Sequence, residues 1–279
     1  MADNPNGAAK DPLSSGSARS ALITALGDLV EPCGDQPVRT AALVYVLKAL
    51  GFSEHAARQA IARTGAAGLI DAERDGRETR WRLTDKAHRL FTEGDSRVFS
   101  TDVDITRWDG RWLVVNVPIP ESLRSTRKRL YAALQWAGLG NPAPGLWVTP
   151  HVNRAAEVHK TIESLGLERY AVAFVGGLSV PGISEADLVA RSWDLAAAEQ
   201  AYDELCKRYD GRRFEGVDDQ LVAHLQLADA LRHMAYIDPR LPEVLLPDWP
   251  GLRYAKRLTA LRAEWTPAAH QRWREIAAG

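Results

Sequence analysis

His224 and His233 lie nine residues apart in a stretch with helical spacing. At about 100° per residue this sets them on opposite sides of one helix, where they cannot share a metal ion. His151 and His159 fall on either side of an expected strand end and helix start, with no third ligand tied to them by spacing. Gly176-Gly177 and Gly182 lack the Lys-Ser/Thr sequel of a phosphate loop and read as turn glycines. The two cysteines, Cys33 and Cys206, match neither a disulfide framework nor a zinc cluster. No catalytic residue, metal site or cofactor is therefore expected.

The basic residues carry more information. In SEHAARQAIART, Ser53 is placed to cap a helix whose buried face holds Ala57, Ile61 and Thr64. His55, Arg58, Gln59, Ala62 and Arg63 then line the outer face, long polar side chains between small ones, a form suited to a DNA major groove. Just beyond, GLIDAERDGRETRWRLT reads as two strands around an Asp75-Gly76 turn, which places Arg74, Arg77 and Arg80 on a hairpin. Between positions 58 and 89 there are eight basic and five acidic residues, a local excess of +3. In this reading Arg58, Gln59 and Arg63 face base edges, with His55 beside them, and the hairpin arginines meet phosphate or minor groove. The same layout also serves as a protein-interaction module, which is the alternative reading.

The elements that position these residues follow from the rest of the chain. SARSALITALGDLVEP gives a first helix with a Leu22, Ile23, Leu26, Leu29, Val30 stripe ending before Pro32, and TAALVYVLKALG gives a second, closed by Gly51. Three helices followed by a hairpin is the winged helix-turn-helix order. RWLVVNVPIP, GLWVTP and YAVAFVGGL read as strands, separated by the helical stretches ESLRSTRKRLYAALQWAGLG and NRAAEVHKTIESLGL, which suggests a small α+β domain with helices on one face of a sheet. From Ser184 on, the pattern is almost wholly helical: one long stretch over EADLVARSWDLAAAEQAYDELCKRYD, another over VDDQLVAHLQLADALRHMAYID, a non-helical passage at the four prolines of DPRLPEVLLPDWPG, and two shorter helices at the end.

The expected organisation is an α+β multidomain chain. Residues 1–17 form a mobile tail, 18–92 a winged helix, 108–180 an α+β domain with a possible dimerisation role, and 184–279 a helical domain. With 279 residues, a net charge of −1 and 46% hydrophobic residues, a sizeable core is possible and a uniformly basic surface is not. The absence of a long apolar run or an apolar leader points to a cytoplasmic protein with no membrane partner. The run Arg124, Arg127, Lys128, Arg129 opposes the macrodipole of its own helix, so an anionic partner there would be compensating.

The blocks SARSALITALGDLV, SEHAARQAIART, RWLVVNVPIP with its basic helix, GLWVTP and above all DPRLPEVLLPDWPG resemble the PaaX family of bacterial transcriptional repressors, in the family's order and over residues 17 to about 270. The resemblance implies a homodimer that binds operator DNA through its winged helix, with a ferredoxin-like central domain. It also implies repression relieved by an acyl-CoA effector such as phenylacetyl-CoA. An aromatic-lined pocket with nearby arginines would suit that effector; Arg191, Trp193, Arg232, Tyr236, Arg240 and Arg257 are the candidates. The central segment also resembles the small ferredoxin-like CRISPR-associated nucleases. Where those place a metal-binding Asp after the first strand, this chain has Val117, Pro118 and Ile119, so nuclease activity is not expected.

Overall fold

The computed structural model describes residues 16–34, 36–76, 78–99, 108–179 and 182–279. The expected tail falls almost entirely on residues 1–15, outside the described ones. The described residues group into two compact units, one of 1–100, 203–233 and 253–279, the other of 101–202 and 234–252.

The first unit opens with helix α1 (Ala18–Ala25), capped by the Ser17 side chain, which accepts the Ser20 amide at 3.1 Å. Helix α1 runs into a π-helical turn over Leu26–Val30, a local widening the periodicity does not announce. A two-residue strand β1 (Val38–Arg39) leads into α2 (Thr40–Ala49), and α3 (Glu54–Ala66) follows. The hairpin β2 (Ile70–Asp75) and β3 (Glu78–Leu83) turns at Gly76 (φ 61°), a left-handed position that suits glycine. The three strands form an antiparallel sheet in the order β1-β3-β2, and α4 (Asp85–Phe99) closes the N-terminal part. Trp81 fixes the hairpin on the helices: its Nε1 donates to Thr40 Oγ1 at 2.9 Å, and its ring lies against Gly65, where an added Cβ would be 3.1 Å from Cζ3. Leu22, Leu29, Leu47 and Ile61 share one core with Leu221, Leu225, Ala269 and Trp273 from distant sequence.

The second unit holds a four-stranded antiparallel sheet, order β5-β6-β4-β7, from β4 (Trp112–Asn116), β5 (Gly140–Ala143), β6 (Leu146–Thr149) and β7 (Val172–Gly176). Helices α5 (Arg124–Trp136) and α6 (Ala155–Ser164) cover one face, with Leu130, Leu134, Val158 and Ile162 packed on Leu113 and Val115. The expectation of a single covered face needs correcting. Trp112 and Val148 are buried on the opposite side against Leu188 and Val189 of α7 (Glu185–Ser192) and Leu241 and Leu245. Cover on both sides explains why WLVV is a continuous apolar run instead of an alternating one. Strand β5 is an addition: GNPA has no strand pattern, but Gly140 lets the backbone pass where a Cβ would be 2.5 Å from Ser192 Cβ and Trp193 Cε2.

The helical C-terminal segment also differs from expectation. The long stretch after Ser184 is broken at Trp193-Asp194 into α7 and α8 (Leu195–Tyr209), because Asp194 Oδ1 accepts the Ala197 amide at 3.0 Å and starts a new helix. The chain then forms α9 (Val217–Met234), the expected passage through the four prolines, which holds no α-helix but one 3-10 turn at Glu243–Leu245, and a single α10 (Gly251–Ala278) in place of two shorter helices. Pro267 sits inside α10 without ending it. Most of α9 and α10 belongs to the first unit, whereas residues 234–252 belong to the second.

Candidate nucleic-acid interface

Helix α3 divides as its sequence spacing predicts. Ala57, Ile61 and Thr64 are buried and His55, Arg58, Gln59, Ala62 and Arg63 exposed; Ala60, not among the expected core residues, is buried as well. Ser53 is the N-cap, its hydroxyl oxygen accepting the Ala56 amide at 3.2 Å. The outer face carries a ladder at helical spacing: Arg58 donates to Glu54 at 2.9 Å, His55 meets Gln59 at 2.8 Å, and Arg63 donates to Gln59 at 2.8 Å. Such exposed i,i+4 pairs are worth only a few tenths of a kcal/mol, so phosphates or base edges can displace them at little cost.

On the hairpin, Arg74 is exposed and lies across from Thr79. Arg80 is half-buried, in register with Arg39 on one side and Glu73 on the other. Arg77 lies outside the described residues. Arg82, which sequence reading counts only in the charge balance, is held by Glu73 at 2.7 Å.

The most constrained polar cluster of this unit lies behind α3. Asp28, on the π-helical turn, is fully buried. Its carboxylate accepts from His224 Nε2 on α9 and from Arg262 on α10, with the Arg232 guanidinium 3.8 Å away. His270 Nε2 on α10 donates to the Asp28 main-chain oxygen at 2.8 Å. Burial alone pushes the Asp28 carboxyl up; the His224 hydrogen bond and the charges of His224, Arg262 and Arg232 outweigh it and hold it well below the usual carboxylate range. One carboxylate thus ties the first helix of the winged layout to two helices some 200 residues later. Sequence reading missed it, although an Asp inside the apolar stripe LGDLV is the available signal. His224, which spacing excludes as a metal ligand with His233, is a fully buried packing histidine bonded to this carboxylate.

The six effector candidates divide between the units. Trp193 and Tyr236 line one cavity of the second unit. Arg191 and Arg240 adjoin lining residues Ser192 and Pro239 in sequence without lining it themselves. Arg232 stands by Asp28, and Arg257 donates to Asp210 on the surface of the first unit, at 3.1 Å through its Nε. In the basic run of α5, Arg127 pairs with Glu121 at 2.9 Å. Among the described residues no group of three His, Cys, Asp or Glu is placed to hold a metal ion, and no helix is long and apolar enough to cross a membrane.

Three helices, a short strand and a hairpin with a solvated third helix define the class: a winged-helix protein carrying a second, α+β unit. Three family profiles match the chain in order, "PaaX-like protein" over residues 17–87, "PaaX protein central Cas2-like domain" over 106–189 and "PaaX-like protein C-terminal domain" over 193–275. The chain belongs to the PaaX family. It is 28% identical over 246 residues to "Transcriptional repressor PaaX" of Escherichia coli (strain K12), which covers 83% of this chain and 75% of that protein. The structure of "Uncharacterized protein Rv0674 from Mycobacterium tuberculosis" is similar in fold, with a TM-score of 0.60 and 22% identity over 93% of this chain and 98% of that one. The Cas2-like profile agrees with the nuclease resemblance of the central segment, and strand β4 there leads into the buried Val117 and then Pro118, with no carboxylate at 117–119.

Proposed function

We propose that the protein is a cytoplasmic, sequence-specific DNA-binding repressor of a catabolic operon, a regulator and not an enzyme. The observation that carries this reading is the outer face of α3. His55, Arg58, Gln59 and Arg63 stand exposed on a helix whose other face is locked into the core, and the chain's E. coli relative is named a transcriptional repressor. Arg58, Gln59 and Arg63, with His55, read base edges in the major groove; Ser53 holds the start of that helix; Arg74, Arg77 and Arg80 meet phosphates or the minor groove from the hairpin.

The repressor acts as a homodimer on a palindromic site. Strand β7 supports a second copy as the partner in that dimer: it is an edge of its sheet, and Val172, Phe174 and Val175 are all exposed on it. An exposed apolar edge of this kind is a template for strand pairing between identical chains. Release from DNA follows binding of a small effector, an aryl- or acyl-CoA thioester such as phenylacetyl-CoA, which must bind the free dimer more tightly than the DNA-bound one.

The test is a fluorescence-anisotropy titration of the protein onto labelled DNA from its own upstream region, with and without phenylacetyl-CoA and related thioesters. Tight, specific, salt-dependent binding reversed by one thioester is expected. Binding indifferent to every thioester would remove the effector class, and no preference over random DNA would favour a protein-interaction module instead.

A further inference from the structure

Helix α5, on the sheet of the second unit, turns a face of one chemistry to solvent. Its exposed positions are Arg124, Ser125, Lys128, Arg129, Ala132 and Gln135. At about 100° per residue these fall within one arc of about 140°. On the other side of the helix Leu130 and Leu134 are fully buried against the sheet. The exposed arc thus holds three cations, two small residues and an amide, with no carboxylate and no large apolar side chain.

The fold gives these cations no partner. Among the described residues, Arg124, Lys128 and Arg129 make no side-chain hydrogen bond or ion pair, and the first turn of α5 has no acidic residue. Arg127, the fourth cation of the run, is half-buried and held by Glu121, so it stands apart from the other three. On α3, by contrast, Arg58 and Arg63 donate to Glu54 and Gln59. Cations in the first half of a helix oppose its macrodipole, so the fold gains nothing from keeping them there. Helix α6, on the same face of the sheet, exposes Glu157, Lys160 and Glu163, a mixed surface; the basic character is confined to α5.

The α5 arc lacks what most other partners need. A protein hot spot calls for large anchors, and a membrane-surface helix calls for an apolar stripe. A small anion calls for donors that converge on one point, whereas Arg124 to Arg129 extends over about 8 Å of helix axis. An extended polyanion fits: duplex DNA carries one negative charge per about 1.7 Å of its axis. Ser125 and Ala132 leave room for a sugar–phosphate backbone between the long side chains.

We propose that the exposed face of α5 is a second DNA contact, in which Arg124, Lys128 and Arg129 neutralise phosphates of duplex DNA without regard to sequence. The choice of duplex DNA over another polyanion rests on the repressor reading.

Anisotropy titrations of the full-length protein onto a short labelled duplex of random sequence, repeated over a series of salt concentrations, test the contact. Each neutralised phosphate contributes about 0.9 to the slope of log affinity against log salt. The triple variant Arg124→Gln, Lys128→Gln, Arg129→Gln is expected to lower that slope by about two to three and to bind about tenfold or more weakly at low salt. The loss should be alike on random and preferred sequences. Gln is a good helix former and the lost charges oppose the dipole, so the variant should melt no lower than the wild type, and misfolding cannot imitate the result. Arg124→Lys with Arg129→Lys keeps the charges and should keep the slope. Lys128→Gln should lower the slope by about one, whereas Lys160→Gln, the same charge change on α6, should not. An unchanged slope in the triple variant, equal effects of Lys128→Gln and Lys160→Gln, or tighter binding to duplex RNA of the same sequence would overturn the proposal. A lowered slope in a protein with no preference over random DNA keeps this contact and loses the repressor reading. Specific operator binding that the triple variant leaves unaltered does the reverse.

Discussion

Asp28 is the residue on which most depends. Its carboxylate is surrounded by His224, Arg262 and Arg232, and removing one partner of a buried ion pair typically costs about 3–5 kcal/mol because the others are left uncompensated. Asp28→Ala should therefore lower the unfolding free energy at pH 7 by about that amount, read from urea denaturation followed by circular dichroism. A loss below about 1 kcal/mol would mean that the carboxylate contributes little to joining α1 to α9 and α10. The pH dependence has a definite sign. A carboxyl held below its unfolded value binds fewer protons when folded, so its stabilisation is present above the unfolded pKa of about 4 and declines as the pH falls below it. The wild-type protein should lose stability progressively below about pH 5, and the variant should show a shallower decline over that range. Sequence periodicity placed position 28 within a helix; it could not indicate that the helix widens there and turns a carboxylate inward, because its partners lie some 200 residues away.

At the scale of elements, α3 was legible in detail. Its capping serine, the buried Ala57, Ile61 and Thr64 and its outer face follow from spacing alone, since a helix buries positions three and four apart whatever it packs against. Ser53→Ala should cost about 1 kcal/mol and lower the melting temperature by a few degrees, with little further effect on DNA affinity once folded. Arg58→Ala and Arg63→Ala should leave the melting temperature nearly unchanged, because their ladder is exposed, and each should cost about 1–3 kcal/mol of discrimination between the preferred and altered sites. Unchanged affinity and specificity in both variants would take α3 out of the interface. Strand β7 belongs to this scale too: Phe174→Glu places a charge on the exposed edge and should convert a dimer to a monomer in size-exclusion light scattering. Strand β5 was not legible, because Gly140, Asn141 and Pro142 have poor strand propensity and pair only where β6 and the 192–194 segment accept them.

At the scale of the whole molecule, a net charge of −1 means that any affinity for DNA comes from local placement, so it should fall steeply with salt through a limited number of phosphate contacts. Arg74→Ala should weaken binding alike on all sequences and reduce the slope of log affinity against log salt by about one, a pattern distinct from that of Arg58. An unchanged slope would place Arg74 away from phosphate. The sequence by itself determined the three N-terminal helices and their hairpin, the α3 face and the family, because these rest on periodicity, turn chemistry and local charge that neighbouring residues set among themselves. Tertiary structure alone decided which distant helices complete the N-terminal core, that both faces of the central sheet are covered, that Asp28 gathers four basic side chains, and that Trp193 and Tyr236 share a cavity with no cation in its lining. Burial and long-range pairing depend on which surfaces meet in space, and residues far apart in the chain carry no local pattern that records it.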